Sequence, residues 1–192
     1  MFGAHPELIG KIAARLPVDD YRVVVALHPN TWHWHSPWQL ERWGRAWRRA
    51  GVTLLPPEEG WRTALVAADV VVGDYGSVSF YAAALGRPTL VAAAPADVVA
   101  PDSAIGRFLD AAPRFDRDAP PAEQLSAAIA GYDPLREPMA GVVALATSAP
   151  GHSAALLRKE FYRLLDLSLD PWSGRALIFA VVVDLVVMSG QD

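Results

Sequence analysis

Short runs of β-branched and other apolar residues recur along this chain, and each is followed by a segment whose apolar residues fall at helical spacing. Within residues 21–27 and 69–73 the positions 23–27 and 70–72 are apolar in succession, which is typical of strands buried on both faces of a parallel sheet. Strands that alternate with helices pair in parallel. The alternation therefore predicts an α/β fold with a doubly wound, Rossmann-like parallel sheet of five or six strands and helices on both faces.

The predicted elements follow one another at short intervals. Strands are expected at residues 21–27, 52–55, 69–73 and 89–93. Helices are expected at residues 6–16, 36–50, 56–68, 77–85, 102–111, 122–130 and 152–165. Residues 132–150 are punctuated by Pro and Gly and are predicted to be a connection. We expect a Rossmann-like domain over residues 1–167 and a C-terminal tail over residues 168–192, which is an extra strand, a docking segment at an interface, or a segment displaced from its usual partner.

Composition excludes several classes of protein. The 192 residues carry a net charge of −4, which argues against a general nucleic-acid binder because such proteins need a basic patch. The absence of cysteine excludes a disulfide framework, a Cys nucleophile and a Cys-ligated metal site. The longest apolar stretch, residues 176–188, is shorter than the roughly 20 residues of a membrane-spanning helix, and no secretory signal is expected. The scarcity of Lys beside Arg, Ala and Pro is typical of a GC-rich bacterial genome.

One candidate site follows the predicted strand at residues 69–73. Ligands of an open parallel sheet bind beyond the carboxyl ends of its strands. Here Gly76 is expected to allow a tight turn, and Ser77 to cap the next helix. The first backbone N–H groups of that helix, with its dipole, would form an anion site suited to a phosphate; they belong to Val78, Ser79 and Phe80. Many α/β proteins carry Gly and Ser in such turns only to cap a helix, and that alternative stays open.

A second candidate is His28, which ends the predicted strand at residues 21–27. An imidazole at that edge is suited to acid–base chemistry or to contact with a phosphate, although a His before Pro can simply hydrogen-bond its loop. His33 and His35 would reach one metal ion only from an extended loop. No Asp, Glu or Cys lies close enough to complete a ligand set, so no metal site is expected.

The strand ending in His28-Pro29, taken with the segment Gly-Asp-Tyr-Gly-Ser-Val-Ser-Phe-Tyr-Ala-Ala-Ala-Leu-Gly-Arg-Pro at residues 73–88, resembles the CDP-glycerol glycerophosphotransferase family. More broadly, these segments are similar to the C-terminal, nucleotide-binding half of the GT-B glycosyltransferase fold, which UDP-sugar 2-epimerases share. The resemblance covers roughly residues 21–93. It implies a glycerophosphotransferase-like or glycosyltransferase-like function, in which the chain binds a nucleotide-activated donor such as CDP-glycerol or a UDP-sugar.

The resemblance also implies roles for single residues. The donor pyrophosphate would lie near Ser77 and the amides that follow it, while His28 would contact a donor phosphate or assist proton transfer. The substrate-binding turn would be oriented by Asp74 and would comprise Asp74, Tyr75, Gly76, Ser77, Val78 and Ser79. Two positions depart from the family: its second serine is Gly76 here, and an acidic residue suited to a ribose hydroxyl is replaced by Tyr81. No cofactor is implied.

The partners follow from the same resemblance. A GT-B enzyme has an N-terminal domain that brings the acceptor, whereas this chain starts almost directly at the C-terminal half. We therefore expect a protein that is not competent alone and that depends on a separate acceptor domain or on a homo-oligomer. Two alternatives remain: a non-catalytic module that binds a nucleotide or a partner, and a sugar-nucleotide 2-epimerase relative, which Tyr81 disfavours. Its location is expected to be the cytoplasm, or the membrane periphery.

Overall fold

The computed structural model describes residues 7–94, 98–133, 139–168 and 184–189. The strands within these ranges are β1 (Tyr21–Ala26), β2 (Val52–Leu54), β3 (Val70–Asp74), β4 (Thr89–Ala93) and β5 (Asp184–Ser189). The helices are α1 (Leu8–Ala13), α2 (Pro29–Trp34), α3 (Pro37–Arg49), α4 (Trp61–Ala67), α5 (Ser77–Ala84), α6 (Ala104–Ala111), α7 (Pro121–Ala130), α8 (Met139–Ala144) and α9 (Ser153–Leu164). Helices and short parallel strands make the fold α/β, as predicted.

The five strands form one sheet in the order β2-β1-β5-β3-β4. β1 pairs in parallel with β2, and β3 pairs in parallel with β4, as the alternation of strands and helices predicts. β5 runs antiparallel between the two pairs, with Val186 opposite Val24 of β1 on one side and Val71 of β3 on the other. The prediction of an all-parallel sheet is therefore wrong at its centre.

The reversed strand comes from the predicted C-terminal tail. Of the alternatives for that segment, the extra strand is the one found for Asp184–Ser189. A run of valine and leucine fits a buried strand of either direction, so its pattern predicts burial and leaves the direction open. The first part of the apolar stretch, residues 176–183, lies outside the described residues.

Helices cover both faces of the sheet, as predicted. Val70 and Val72 of β3 pack into a core cluster with residues of α1, α3 and α7. Val71, between them in the chain, packs instead with residues of α4 and α5. Because successive side chains of a strand point to opposite faces, the two clusters lie on opposite sides of the sheet. A third cluster joins α5, β4 and α6 around Phe108, which is fully buried.

Helix boundaries depend on local caps. The predicted cap of α3 is present, since the Ser36 hydroxyl accepts a hydrogen bond from the Gln39 amide at 3.2 Å. α4 begins only at Trp61, not at Pro56 as predicted, because Gly60 with a φ of +89° serves as its N-cap. Two six-residue helices were not predicted: α2 follows His28 directly, and α8 interrupts the connection expected at residues 132–150.

The helix predicted at residues 152–165 is present as α9. It is amphipathic, with its leucines and Phe161 on one face, and none of its residues is buried within the described structure. None of the described helices is long and apolar enough to cross a membrane.

Candidate functional site

The carboxyl ends of β1 and β3 lie at the same edge of the sheet. Both strands run antiparallel to β5, so they run parallel to each other. β1 leads into His28 and β3 ends at Asp74, which brings the two predicted turns to this edge. Since β5 lies between them, the strands are two inter-strand spacings apart, or about 10 Å. Asp184, the first residue of β5, pairs with Ala26 at the same edge.

The β3–α5 turn is held by the carboxylate of Asp74. Its Oδ1 accepts a hydrogen bond from the Gly76 amide at 2.7 Å. This bond from a side chain to the backbone two residues on is the Asx turn, and an Asp two residues before a Gly is its sequence signal. The carboxylate thus orients the turn through a contact with the backbone.

The prediction that Ser77 caps α5 is wrong. Gly76 is the N-cap residue, no side chain caps the helix, and Ser77 is the first helical residue. Because of the Asx turn at Asp74, the N-cap of α5 falls on Gly76, one residue before the predicted N-cap Ser77. Gly76 has a φ of −73°, which any residue adopts, so this turn does not require the conformational freedom of glycine that the sequence predicted. As a result the Ser77 side chain is exposed, and no hydrogen bond joins its hydroxyl to another described residue.

The N-terminus of α5 presents backbone N–H groups from a firmly packed helix. Five of its eight residues are buried: Val78, Ser79, Phe80, Ala82 and Ala83. Val78 and Ser79 are 2% and 0% exposed with their backbone included, so among the first three residues of α5 only Ser77 is exposed. The first amides of a helix have no acceptor within it, and the helix dipole gives them a partial positive charge. This end of α5 therefore has the donors that an anion requires.

The other predicted positions of this turn have structural contacts. Tyr75 is half-buried and packs against the cluster around Phe108, on the inner side of the turn. Tyr81, where the resembling family has an acidic residue, lines an apolar cleft with Trp61 and Leu65. The Tyr81 phenol therefore provides no carboxylate for a ribose hydroxyl, in contrast to the acidic residue of the resembling family.

The turn after β1 is held by His28 in a similar way. His28 is the N-cap of α2, and its Nδ1 accepts a hydrogen bond from the Asn30 amide at 3.0 Å. An accepting Nδ1 carries no proton, so in the neutral ring the proton lies on Nε2. Nδ1 of this exposed side chain therefore hydrogen-bonds its own loop, as one of the two alternatives predicted. Nε2 remains a hydrogen-bond donor. Asn30, which belongs to the candidate segment His28-Pro29-Asn30 predicted from the sequence, contributes its backbone amide to this turn.

The neighbouring histidines do not converge. His33 lies on α2, while the His35 ring meets the Trp43 ring edge-on with 5.1 Å between centroids. The loop is thus helical rather than extended. Across the described ranges there is no group of three or more His, Cys, Asp or Glu residues that could hold a metal ion.

Two clefts in the described structure lie away from this edge. One of about 230 Å³ is lined by residues of α1 and the start of β1, and one of about 380 Å³ lies between α4 and α5. Neither is lined by His28, Asp74 or Ser77. The predicted site residues share a sheet edge.

Comparison of the chain with protein-family models, with curated proteins and with solved structures finds no match.

Proposed function

We propose that this chain binds the donor for a transferase that uses a nucleotide-activated glycerol phosphate or sugar, and that it is not competent for transfer alone. The observation that carries the proposal is the β3–α5 turn. Its backbone is set by Asp74, its helix is anchored by five buried residues, and its exposed serine is not used as a cap. A donor pyrophosphate would accept hydrogen bonds from the Ser77 hydroxyl and from the amides of Val78 and Ser79.

The order of the strands supports a site at this place. If β5 is set aside, the chain winds outward from β1 to β2, and then from β3 to β4 in the opposite direction. On this proposal the two parallel pairs correspond to the two halves of a doubly wound, Rossmann-like sheet. Ligands of such sheets bind where the winding reverses, beyond the carboxyl ends of the strands. The reversal falls between β1 and β3, which is where His28 and Asp74 lie.

The hydrogen bond at His28 limits what this residue can do. With Nδ1 occupied by the Asn30 amide, Nε2–H is a donor and cannot take a proton. His28 is therefore suited to donate a hydrogen bond from Nε2 to a donor phosphate. A general acid is the imidazolium, whose Nδ1 carries a proton, and a general base needs the other tautomer, so proton transfer in either direction would break the cap of α2.

The hydrogen bond at Nδ1 of His28 also favours a second candidate function, a module that binds a nucleotide without turnover. The described residues at this edge provide hydrogen-bond donors for a phosphate, whereas the one imidazole is already engaged through Nδ1. In either case the partner is a nucleotide-activated small molecule. Donors of this class are made and used in the cytoplasm, so we place the protein there or at the membrane periphery.

A thermal-shift screen tests the binding proposal. CDP, UDP, CMP, CDP-glycerol and UDP-sugars would be compared with cytidine and uridine, which lack the phosphates. A diphosphate ligand at 100 times its Kd is expected to stabilise the chain by about 2.7 kcal/mol. No stabilisation by any diphosphate, or the same stabilisation by the bare nucleosides, would overturn the proposal.

Product analysis separates the candidates once a ligand is found. The purified chain is expected to release no CMP or UDP from its donor, with or without a polyol acceptor, because transfer requires donor and acceptor to be held together. Transfer by the chain as a monomer would contradict the statement that it is not competent alone. Conversion of a UDP-sugar to its 2-epimer would identify the epimerase alternative instead.

A further inference from the structure

Arg117 is a cation that two hydrogen bonds fix at the carboxyl end of β4. Its Nε and Nη2 atoms both donate to the Ala92 carbonyl oxygen, at 3.2 and 2.7 Å. The carboxyl end of β4 lies at the same edge of the sheet as that of β3, because the two strands run parallel. No sequence pattern marks this arginine, since it lies in the connection between α6 and α7.

The pairing of β3 with β4 places this guanidinium beside the β3–α5 turn. Gly73 and Asp74 pair with the residues of β4 on either side of Ala92, so the register shifts and Ala92 has no paired residue on β3. The carbonyl that Arg117 holds therefore lies opposite the step from Gly73 to Asp74, where the turn begins. Neighbouring strands are about 4.8 Å apart, so the guanidinium is one strand away from the turn. Irregular pairing of this kind is frequent next to active sites.

The segment that carries Arg117 is fixed by contacts on both of its sides. The Phe115 amide donates a hydrogen bond to the Val91 carbonyl of β4 at 3.0 Å. Gln124 of α7 holds Asp116 through two bonds of 2.8 Å, one from the Asp116 amide to Oε1 and one from Nε2 to the Asp116 carbonyl. A side chain whose backbone and guanidinium are both held in place loses little conformational entropy when it binds a ligand.

One edge of the Arg117 guanidinium remains available to a ligand. A guanidinium presents two edges of paired N–H groups, and the bonds to Ala92 use the Nε/Nη2 edge. The other edge, formed by Nη1 and Nη2, has no acceptor among the described residues, and no described carboxylate forms an ion pair with this exposed arginine. Two parallel N–H groups on a positive charge have the geometry that binds a phosphate bidentately.

The charges at this edge require a cation if two phosphates are to bind there. β3 ends at the carboxylate of Asp74, which repels an anion. The N-terminus of a helix provides about half an elementary charge, which is less than the charge of a pyrophosphate. Among the first three residues of α5 only Ser77 is exposed, so this end of the helix accounts for the contacts of one phosphate.

We propose that Arg117 binds the second phosphate of the donor, beside the phosphate at the N-terminus of α5. The inference rests on the proposed function and adds its substrate class. The site selects nucleoside diphosphates and their esters over monophosphates, because only a diphosphate reaches both α5 and Arg117. The guanidinium keeps its bonds to the Ala92 carbonyl and holds the phosphate oxygens with its Nη1/Nη2 edge.

Calorimetry with CDP and CMP tests this assignment. The parent chain is expected to bind CDP more tightly than CMP. Arg117→Gln is expected to weaken the binding of CDP by about 10- to 100-fold, as loss of a charge-assisted hydrogen bond does, and that of CMP by less than about threefold. Arg114→Gln is the matched control, because Arg114 is exposed in the same segment and donates to the Leu109 carbonyl instead. It is expected to bind both nucleotides as the parent does.

The outcomes separate this inference from the proposed function on which it rests. If the parent chain binds neither nucleotide, both the donor site and the role of Arg117 are refuted. If the parent binds CDP and Arg117→Gln binds it equally well, or loses CDP and CMP to the same extent, only the role of Arg117 is wrong. An equal loss in Arg114→Gln would show a general effect of charge and would also refute that role.

A purely structural role of Arg117 predicts a different set of results. Arg117→Gln would then lower the free energy of unfolding, measured by chemical denaturation, and leave the ratio of CDP to CMP affinity unchanged. Arg117→Lys keeps the charge without the planar fork and is expected to recover part of the CDP affinity. The ¹⁵Nε–H resonance of Arg117, identified by its loss in Arg117→Lys, is expected to shift with CDP and to stay in place with CMP. A resonance that does not move with saturating CDP would overturn the proposal.

Discussion

The two turns at the proposed donor-binding edge of the sheet share a hydrogen-bond pattern and differ in how firmly they are anchored. In each, a side chain at the end of a strand accepts a hydrogen bond from the amide two residues on: His28 from Asn30, and Asp74 from Gly76. α2, after the first turn, has six residues and none is buried. α5, after the second, has five buried residues out of eight.

The difference indicates which turn is prepared for a ligand. A site that is rigid before binding loses less conformational entropy when the ligand arrives. The β3–α5 turn meets this requirement because its helix is fixed to the core by five buried residues, whereas α2 has no buried residue and packs against the core through the partly buried Trp32. The first turn is therefore expected to hold the ligand less firmly than the second and to adjust to it.

The largest effect is expected from breaking the strand that joins the two turns. Val186→Pro removes a backbone donor from the middle of β5, which pairs with β1 and β3. A proline inside a central strand is expected to lower the free energy of unfolding by about 3 kcal/mol or more. Val186→Ala keeps the donor and is expected to cost less. Chemical denaturation measures both, and equal losses would show that the backbone pairing of β5 does not hold the sheet.

A smaller loss is expected when the anchored turn itself is broken. Asp74→Ala leaves the half-buried Gly76 amide without its acceptor and is expected to lower the free energy of unfolding by about 1–3 kcal/mol. Asp74→Asn retains an oxygen acceptor and is expected to recover part of this loss. Asp102→Ala, at an exposed position, serves as the control and should stay within about 0.5 kcal/mol of the parent. A loss in Asp74→Ala no larger than in the control would contradict the role of the carboxylate.

Removal of the accepting side chain from the turn after β1 is expected to lower the free energy of unfolding by less. His28→Ala removes the cap of α2, which is worth about 0.5–1 kcal/mol for a helix with no buried residue. His28→Asn provides another acceptor at the N-cap position and is expected to restore the stability without restoring the Nε2–H donor. If nucleotide affinity falls in His28→Asn while stability does not, the histidine contacts the ligand. A loss in His28→Ala equal to that in Asp74→Ala would remove the distinction between the two turns.

The smallest change in stability is expected for Ser77→Ala. Because Ser77 is exposed, does not cap α5 and makes no hydrogen bond to another described residue, its removal should alter the free energy of unfolding by less than about 0.5 kcal/mol. Its affinity for a nucleoside diphosphate is nevertheless expected to fall, as measured by calorimetry. Unchanged affinity in the folded variant would leave Ser77 without a part in binding.

Local patterns predicted most of the elements and the sheet edge to which the two polar turns belong. Valine runs marked β1 and β3, Ser36 marked the start of α3, and polar residues after two strands marked the edge where ligands of parallel sheets bind. These features depend on neighbours in the chain. The residue that caps α5 was misassigned because Asp74 and Ser77 are both good acceptors, and only the backbone geometry decides between them.

The arrangement of the sheet could not be predicted in the same way. β5 is separated from its partners by most of the chain, and its direction is set by pairing with Val24 and Val71, which no local pattern records. The exposure of α9 is a similar case, because an amphipathic pattern predicts that a face will be covered but not which surface covers it. The short helices α2 and α8 have too few residues for a clear period.

A titration of the ¹⁵N-labelled chain with CDP, followed by amide resonances, tests most directly whether the β3–α5 turn binds a phosphate. The largest shifts are expected at the amides of Ser77, Val78 and Ser79, with smaller ones near His28. Cytidine is expected to leave these resonances in place because it lacks the phosphates. Saturable binding of CDP with shifts confined to other parts of the chain, or no binding at millimolar CDP, would contradict the assignment of this turn as the donor site.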